Sequence, residues 1–244
     1  THIIRGEEWL SSVPLHVVLA KALGTKLPVL VHLPLLRNAD KSKVSKRKNP
    51  TSLIWFKEAG FLQEGLKNFL GLMSYSLPGD KEIFSYEEFV ANFDPARIST
   101  GGPVFDLKKL EWLNGEHMRR LSDVELERRL VAHIAFVRSR AEHIKPLPDD
   151  DPTRELGTFV DSFRLATQDR NLRIVREGAR WLADNAKLKP LIPLVRERIH
   201  TLSEAADYIW AFFDALPPLP LADMDDIKKV SVEDKTAMLE AILA

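Results

Sequence analysis

Strand-forming sequence is confined to the opening of this chain, and that confinement constrains the fold more than any other feature. Residues 1–4 bring the apolar pair Ile3 and Ile4, and residues 28–36 form a β-branched and leucine run of the kind that buried parallel strands use. Between them Trp9, Leu10, Val13, Val17, Ala20 and Leu23 recur near helical spacing, with Gly24 placed as a C-cap. The pattern predicts a strand, a helix over 7–23 and a second strand. One such unit cannot complete a sheet, so its edge calls for strands from elsewhere, because unpaired buried backbone groups are costly. Beyond Ser52 the periodicity is helical almost to the end, so the fold is expected to be mainly α with a residual α/β corner.

Turn chemistry divides the helical part. Pro78-Gly79-Asp80 and Gly101-Gly102-Pro103 separate short helices, and Ser85 with Glu88, Ser122 with Glu125 and Thr201 with Glu204 have capping-box spacing. Three prolines and three consecutive aspartates make 145–152 an exposed linker, Asp149, Asp150 and Asp151 reading as a solvated acidic turn. Helices are expected over 155–167, 172–186, 191–199 and 203–215, and from Ser231 to the last residue after the break at Pro217, Pro218 and Pro220. Phe56, Phe61, Leu62, Leu66, Phe69 and Leu70 read as the apolar face of a helical hairpin. The chain starts without methionine, inside strand pattern, and stops in phase within a helix, so it reads as a fragment.

Charge is uninformative globally and telling locally. Lys plus Arg and Asp plus Glu are 35 each, so nucleic-acid binding has to come from local clustering. The cluster is 37–48, where Arg37, Lys41, Lys43, Lys46, Arg47 and Lys48 oppose only Asp40, six cations against one anion. A lysine loop of this kind suits a reaction that develops charge on phosphate oxygens, and a solvated basic turn has the same composition. There is no cysteine, which excludes disulfide scaffolds and thiolate metal sites and fits a reducing compartment. No apolar run approaches the ~20 residues of a membrane span and 1–8 lacks signal-peptide grammar, so a cytoplasmic protein without membrane attachment is expected. His2, His16, His32, His117, His133, His143 and His200 show no metal-ligand spacing, and no metal site is expected.

Order within the basic loop adds specificity. Lys43-Val44-Ser45-Lys46-Arg47 resembles the lysine-serine-lysine signature of class I aminoacyl-tRNA synthetases. Ile3-Ile4-Arg5-Gly6-Glu7-Glu8-Trp9 and His32-Leu33-Pro34-Leu35-Leu36-Arg37-Asn38 resemble the amino-acid and ATP elements of bacterial-type glutamyl-tRNA synthetases. Gly79-Asp80-Lys81-Glu82-Ile83-Phe84, Val104-Phe105-Asp106 and Leu110-Glu111-Trp112-Leu113-Asn114-Gly115 look like that family's stem-contact region. The likeness is dense to about residue 121 and thinner beyond, where helical layout and Arg196-Glu197-Arg198 support it.

The resemblance implies a remnant of a Rossmann-type catalytic domain over 1–40, the signature loop and a small helical stem-contact domain over 41–121, and an α-helical anticodon-binding bundle over 122–244. It implies ATP with Mg2+, L-glutamate and tRNA-Glu as the ligands of the parent enzyme, acting as a monomer in the cytoplasm. Arg5 matches the arginine that contacts glutamate, a guanidinium fork suiting a carboxylate, and a structural salt bridge is its plain alternative. Glu8 matches a position at the ATP nucleoside, although a helix dipole alone favours Glu there. Leu36 matches a residue whose backbone meets adenine, while its side chain alone reads as core. Lys43 and Lys46 match the catalytic signature lysines, with Arg47 completing the motif and Ser45 either bonding within the loop or turning it. Arg198 matches the position that inspects an anticodon base, with Arg196 as the neighbouring choice; an ordinary exposed helix arginine is the alternative. Corner strands left without partners also make association through the sheet edge a possible by-product of truncation.

Two readings from different classes follow: part of a glutamate-activating synthetase, or a free-standing helical tRNA-binding or adaptor module. The His-Ile-Gly-His signature that steadies ATP phosphates opposite the lysine loop does not occur in these 244 residues. Removing a single charge-stabilising group from such a site slows the reaction on the order of 10²-fold. The 244-residue polypeptide on its own is therefore expected to give no measurable glutamate-dependent pyrophosphate exchange; turnover at an ordinary synthetase rate would refute this.

Overall fold

A computed structural model describes residues 1–38, 41–44, 52–73, 75–146 and 159–213. The chain opens with β1 (His2–Gly6), α1 (Val13–Ala22) and β2 (Val29–Leu33), the strands pairing in parallel with Arg5 opposite His32. The expected helix over 7–23 is divided, because a 3₁₀ segment over Glu7–Ser12 precedes α1. Pro14 explains the division: its ring excludes the preceding turn's carbonyl and it has no N–H, so it fits only a first helical turn. Gly24 adopts φ +63 and ends the helix as a left-handed cap, its N–H bonding to the Lys21 carbonyl. No residue of β1, α1 or β2 is buried, and Leu15, Val18, Leu19, Ile3 and Ile4 are exposed. The corner has no core of its own, and its sheet has two strands among the described residues.

After β2 the backbone turns sharply. Lys41 takes φ +65, Asn38 N–H donates to the Ser42 carbonyl, and Lys43 returns as an antiparallel bridge beside Arg37. The same arginine bridges Val104, with Arg37 N–H on the Pro103 carbonyl at 2.9 Å and Phe105 N–H on the Arg37 carbonyl at 2.8 Å. The root of the basic loop is thus strapped to the helical part.

That part contains α2 (Leu53–Glu58), α3 (Gln63–Leu72), α4 (Tyr86–Asn92) and α5 (Leu107–Arg119). Phe56, Phe61, Phe69, Leu107, Leu110 and Leu113 form its core, bearing out the hairpin reading except at Leu70, which is exposed. Ser85 caps α4 by accepting Glu88 N–H, and Asp106 caps α5 by accepting from Lys108 and Lys109 N–H. The bundle that follows is α6 (Asp123–Ser139), capped by Ser122, then α7 (Phe159–Ala183), α8 (Asn185–Leu188), α9 (Ile192–Arg196) and α10 (Ala205–Phe213). The separate helices expected over 155–167 and 172–186 are one helix from Phe159 onward. Phe163, Thr167, Asn171, Ile174, Gly178 and Trp181 make a single buried stripe, and its polar members concealed the continuity from a hydropathy pattern. The acidic linker and the helix expected from Ser231 lie outside the described residues. No described helix is long and apolar enough to cross a membrane.

The two helical parts interlock. Leu62 belongs to the bundle core and Phe163 of α7 to the other. At their joint Gly60 takes φ +83 and its carbonyl accepts Leu202 N–H at 2.9 Å; a Cβ there would stand 2.5 Å from Ser203 N and 2.6 Å from Leu202 N. Asn114, fully buried on α5, accepts Leu62 N–H at 2.8 Å and donates to the His200 carbonyl. Arg129 of α6 reaches Glu64 of α3 through two bonds of 2.7 and 2.8 Å, holding that carboxyl below its usual range.

Glu111 lies at this joint. Burial, then repulsion by Glu204, push its carboxyl up to about 7 against Arg170 and Lys108. The folded state therefore keeps a proton that the unfolded chain releases, so stability falls as pH rises from the ordinary value of 4.5 to about 7. Glu111→Gln is expected to match the wild type at pH 4 and exceed it at pH 8 by about 1 kcal/mol, a figure reduced for solvent screening at a half-exposed site. Denaturant titrations at the two pH values check this.

Candidate functional site

The end of β1 and the segment after β2 bring two of the expected site residues, Arg5 and Leu36, to one cavity. Strand pairing sets Arg5 beside His32, and Arg5 Nε donates to His32 Nε2 at 3.2 Å. Its Nη2 lies 3.3 Å from His16 Nδ1 on α1 and 3.4 Å from the Trp9 carbonyl, with the guanidinium carbon 5.7 Å from the Trp9 ring centroid. No carboxylate pairs with Arg5 among the described residues, so the plain salt-bridge alternative finds no partner there. Glu7 instead accepts Leu35 N–H at 3.2 Å, tying the start of the 3₁₀ segment to the stretch after β2. Glu8 is exposed, its carboxylate folded over Gly6, where a Cβ would meet Glu8 Oε2 at 2.0 Å.

Arg5 and Leu36 line one cavity of about 440 Å³, closed on the helical side by Leu70, Tyr75 and Phe93. Among the described residues Arg5 is the only cation on its lining. The cavity provides apolar contact along the strand that carries Arg5, while the Arg5 guanidinium is held by His32, His16 and the Trp9 carbonyl, which do not line it. The Leu36 carbonyl accepts Val44 N–H at 3.2 Å, which seats the Lys43 backbone against the same segment. Ser45, Lys46 and Arg47 lie outside the described residues.

The two candidate anticodon readers differ in freedom. Arg196 is half-buried, donating to Asp123 Oδ1 at 2.7 Å and approaching Glu197 at 3.4 Å. Arg198 is exposed, and no side-chain partner is found for it among the described residues. The structure therefore makes Arg196 a brace between α9 and the start of α6 and leaves Arg198 available.

Sequence reading passed over the histidines that hold Arg5, because partners 11 and 27 residues away become neighbours only through the β-α-β crossover. The strand register was the signal that could have found His32. It also passed over Glu111, His200 and Glu204, whose potential ligand atoms lie within 4.8 Å of one another. The Glu204 oxygens are already engaged by His200 N–H at 2.7 Å and the Thr201 hydroxyl at 3.0 Å, and Arg170 stands 3.8 Å away. Positive charge is supplied there, and we assign no metal. Thr201 thus departs from the expected capping box: Glu204 N–H bonds to the Thr201 carbonyl rather than its hydroxyl, and the Glu204 carboxylate takes His200 N–H and the Thr201 hydroxyl. His133 is fully buried and held neutral, burial pushing it down to about 4, with Nε2 unpaired.

Comparison with known proteins bears on these features in chain order. Residues 1–112 match the family described as tRNA synthetases class I (E and Q), catalytic domain, and residues 165–244 match an anticodon binding domain. A glutamate–tRNA ligase of Psychrobacter sp. is 38% identical over 100% of this chain and 37% of its own length. One from Saccharophagus degradans is 55% identical over 77% of this chain and 40% of its own. The chain thus spans about two fifths of the length of these curated relatives. Among solved structures, the glutamate–tRNA synthetase of Elizabethkingia anophelis aligns with TM-score 0.59 and 25% identity over 97% of this chain and 42% of that one.

Because Arg196 is tied to Asp123 and Arg198 is not, Arg196→Ala is expected to cost about 1 kcal/mol of stability and Arg198→Ala less than about 0.5. Urea denaturation of the two variants measures the difference, and equal losses would contradict it.

Proposed function

Since the chain belongs to the glutamate–tRNA ligases of the class I tRNA synthetase family, we propose that it is the part of such an enzyme that clamps glutamate, closes over ATP and carries the anticodon-side helices. In the reaction a glutamate carboxylate oxygen attacks the α-phosphorus of ATP, the bond to the bridging oxygen breaks, and pyrophosphate leaves. A hydroxyl at the 3′ end of tRNA-Glu then attacks the adenylate carbonyl and AMP departs. The observation that best supports this reading is that Arg5, whose guanidinium has no carboxylate partner among the described residues, borders with Leu36 a cavity beside the root of the lysine loop.

In that reading Arg5 grips a glutamate carboxylate, Glu8 meets the nucleoside, and the Leu36 backbone meets adenine. Lys43 and Lys46 stabilise charge developing on the phosphates, with Ser45 and Arg47 shaping the loop. Magnesium accompanying ATP would supply neutralisation of phosphate charge beside the lysines of the loop. Arg198 reads an anticodon base, its freedom supporting it over Arg196. Residues 1–40 complete the catalytic domain, 41–121 approach the tRNA stem and 122–244 the anticodon, in a monomeric cytoplasmic enzyme. The free-standing module draws no support from relatives that are ligases along the whole of this chain.

In the full-length ligase that contains this chain, Lys46→Ala is expected to lower kcat for glutamate-dependent pyrophosphate exchange on the order of 10²-fold. Unchanged exchange would remove the loop from the reaction.

A further inference from the structure

We propose that His32 and His16 are positioning residues for Arg5, two neutral imidazoles whose lone pairs lock the guanidinium so that Nη1 faces the glutamate carboxylate. The inference rests on the reading of Arg5 as the carboxylate clamp and adds to it what aims the clamp.

A guanidinium has five N–H donors and no acceptor. Arg5 spends Nε–H on His32 Nε2 at 3.2 Å, and Nη2 faces both His16 Nδ1 at 3.3 Å and the Trp9 carbonyl at 3.4 Å. Among the described residues Nη1 has no partner, so its two N–H groups are the ones left for a ligand. Because arginine can only donate, both ring nitrogens must present lone pairs. That fixes the tautomers: His32 carries its proton on Nδ1 and His16 on Nε2. A protonated ring at either position would offer no lone pair there and would set one cation against another.

The topology explains the convergence. Parallel register places His32 directly opposite Arg5, the crossover brings His16 in the first turn of α1, and the 3₁₀ segment presents the Trp9 carbonyl. Three acceptors from three successive elements therefore surround one guanidinium with no carboxylate among them. A carboxylate in that ring would neutralise Arg5 and compete with substrate, whereas neutral acceptors orient the group and leave its charge intact.

The test uses the full-length ligase and separates an acceptor role from packing. Glutamine places an acceptor near the position of imidazole Nε2, and asparagine near that of Nδ1. His32→Leu is expected to raise the KM for glutamate about tenfold, with the KM for ATP and kcat within about threefold. His32→Gln is expected to restore most of the loss. His16→Ala against His16→Asn repeats the comparison from another element and serves should the first leucine variant fail to fold. Equal defects in the leucine and glutamine variants, or an unchanged glutamate KM in both His32→Leu and His16→Ala, would overturn the proposal. Arg5→Ala is the control for the underlying reading: if it leaves the glutamate KM unchanged, the clamp itself is wrong. If only the histidine variants are silent, the aiming role alone fails.

Discussion

The buried amide of Asn114 is the interaction on which the helical architecture turns. Its oxygen takes the N–H of Leu62 and its nitrogen serves the carbonyl of His200, so one side chain satisfies backbone groups from two segments far apart in sequence. A buried amide left unpaired costs about 1–3 kcal/mol, and here both ends of the group are engaged. Around it Gly60 removes the Cβ that would collide with Leu202 and Ser203, and Gly115 does the same towards the His200 ring. Backbones can approach only because side chains are missing where they meet. The consequence is a joint that fixes α5, close to the basic loop's strap, against the turn after α9 that carries His200, two residues beyond Arg198.

Such a joint gives functional meaning to a chain whose interesting groups sit at opposite ends. The strap through Arg37 and residues 103–105 ties the corner to the start of α5, and Asn114 ties α5 to the bundle. Between the strand carrying Arg5 and the exposed Arg198, the steps are backbone hydrogen bonds at Arg37, the buried Asn114 amide and packed core. Discrete bonded links of this type transmit position more faithfully than exposed ion pairs, which solvent screens. The carboxylate–arginine pairs across the joint, Glu64 with Arg129 and Glu58 with Arg140, add orientation to an arrangement that packing already defines.

Much of this was legible in the sequence, and the failures share a physical cause. The confinement of strands to the corner, the caps at Ser85 and Ser122, the left-handed Gly24 and the aromatic hairpin core all follow from local chemistry, where spacing of a few residues carries the signal. The continuity of α7 did not, because Thr167 and Asn171 are buried polar residues in a stripe that a hydropathy pattern reads as solvent-facing. Asn114 reads from sequence as an ordinary helix residue, and only the fold places its two partners beside it. Of the candidate site, motif order singled out Arg5, Leu36 and Lys43 for attention, whereas the histidines holding Arg5 required the crossover to be seen.

The pair Arg196 and Arg198 illustrates how structure ranks what sequence leaves level. Two arginines at a spacing of two point to different sides of a helix end. One side meets the N-terminal turn of α6, where Asp123 already sits favourably with the helix dipole and gains a guanidinium as partner. The other side meets solvent. An arginine whose charge is engaged within the fold would have to give up that partner before binding anything else, and the loss subtracts from any affinity it brings. A free arginine keeps its full donor set for a planar base. The clamp proposed for Arg5 follows the same logic: two histidines and a backbone carbonyl orient its guanidinium, and no carboxylate among the described residues pairs with it.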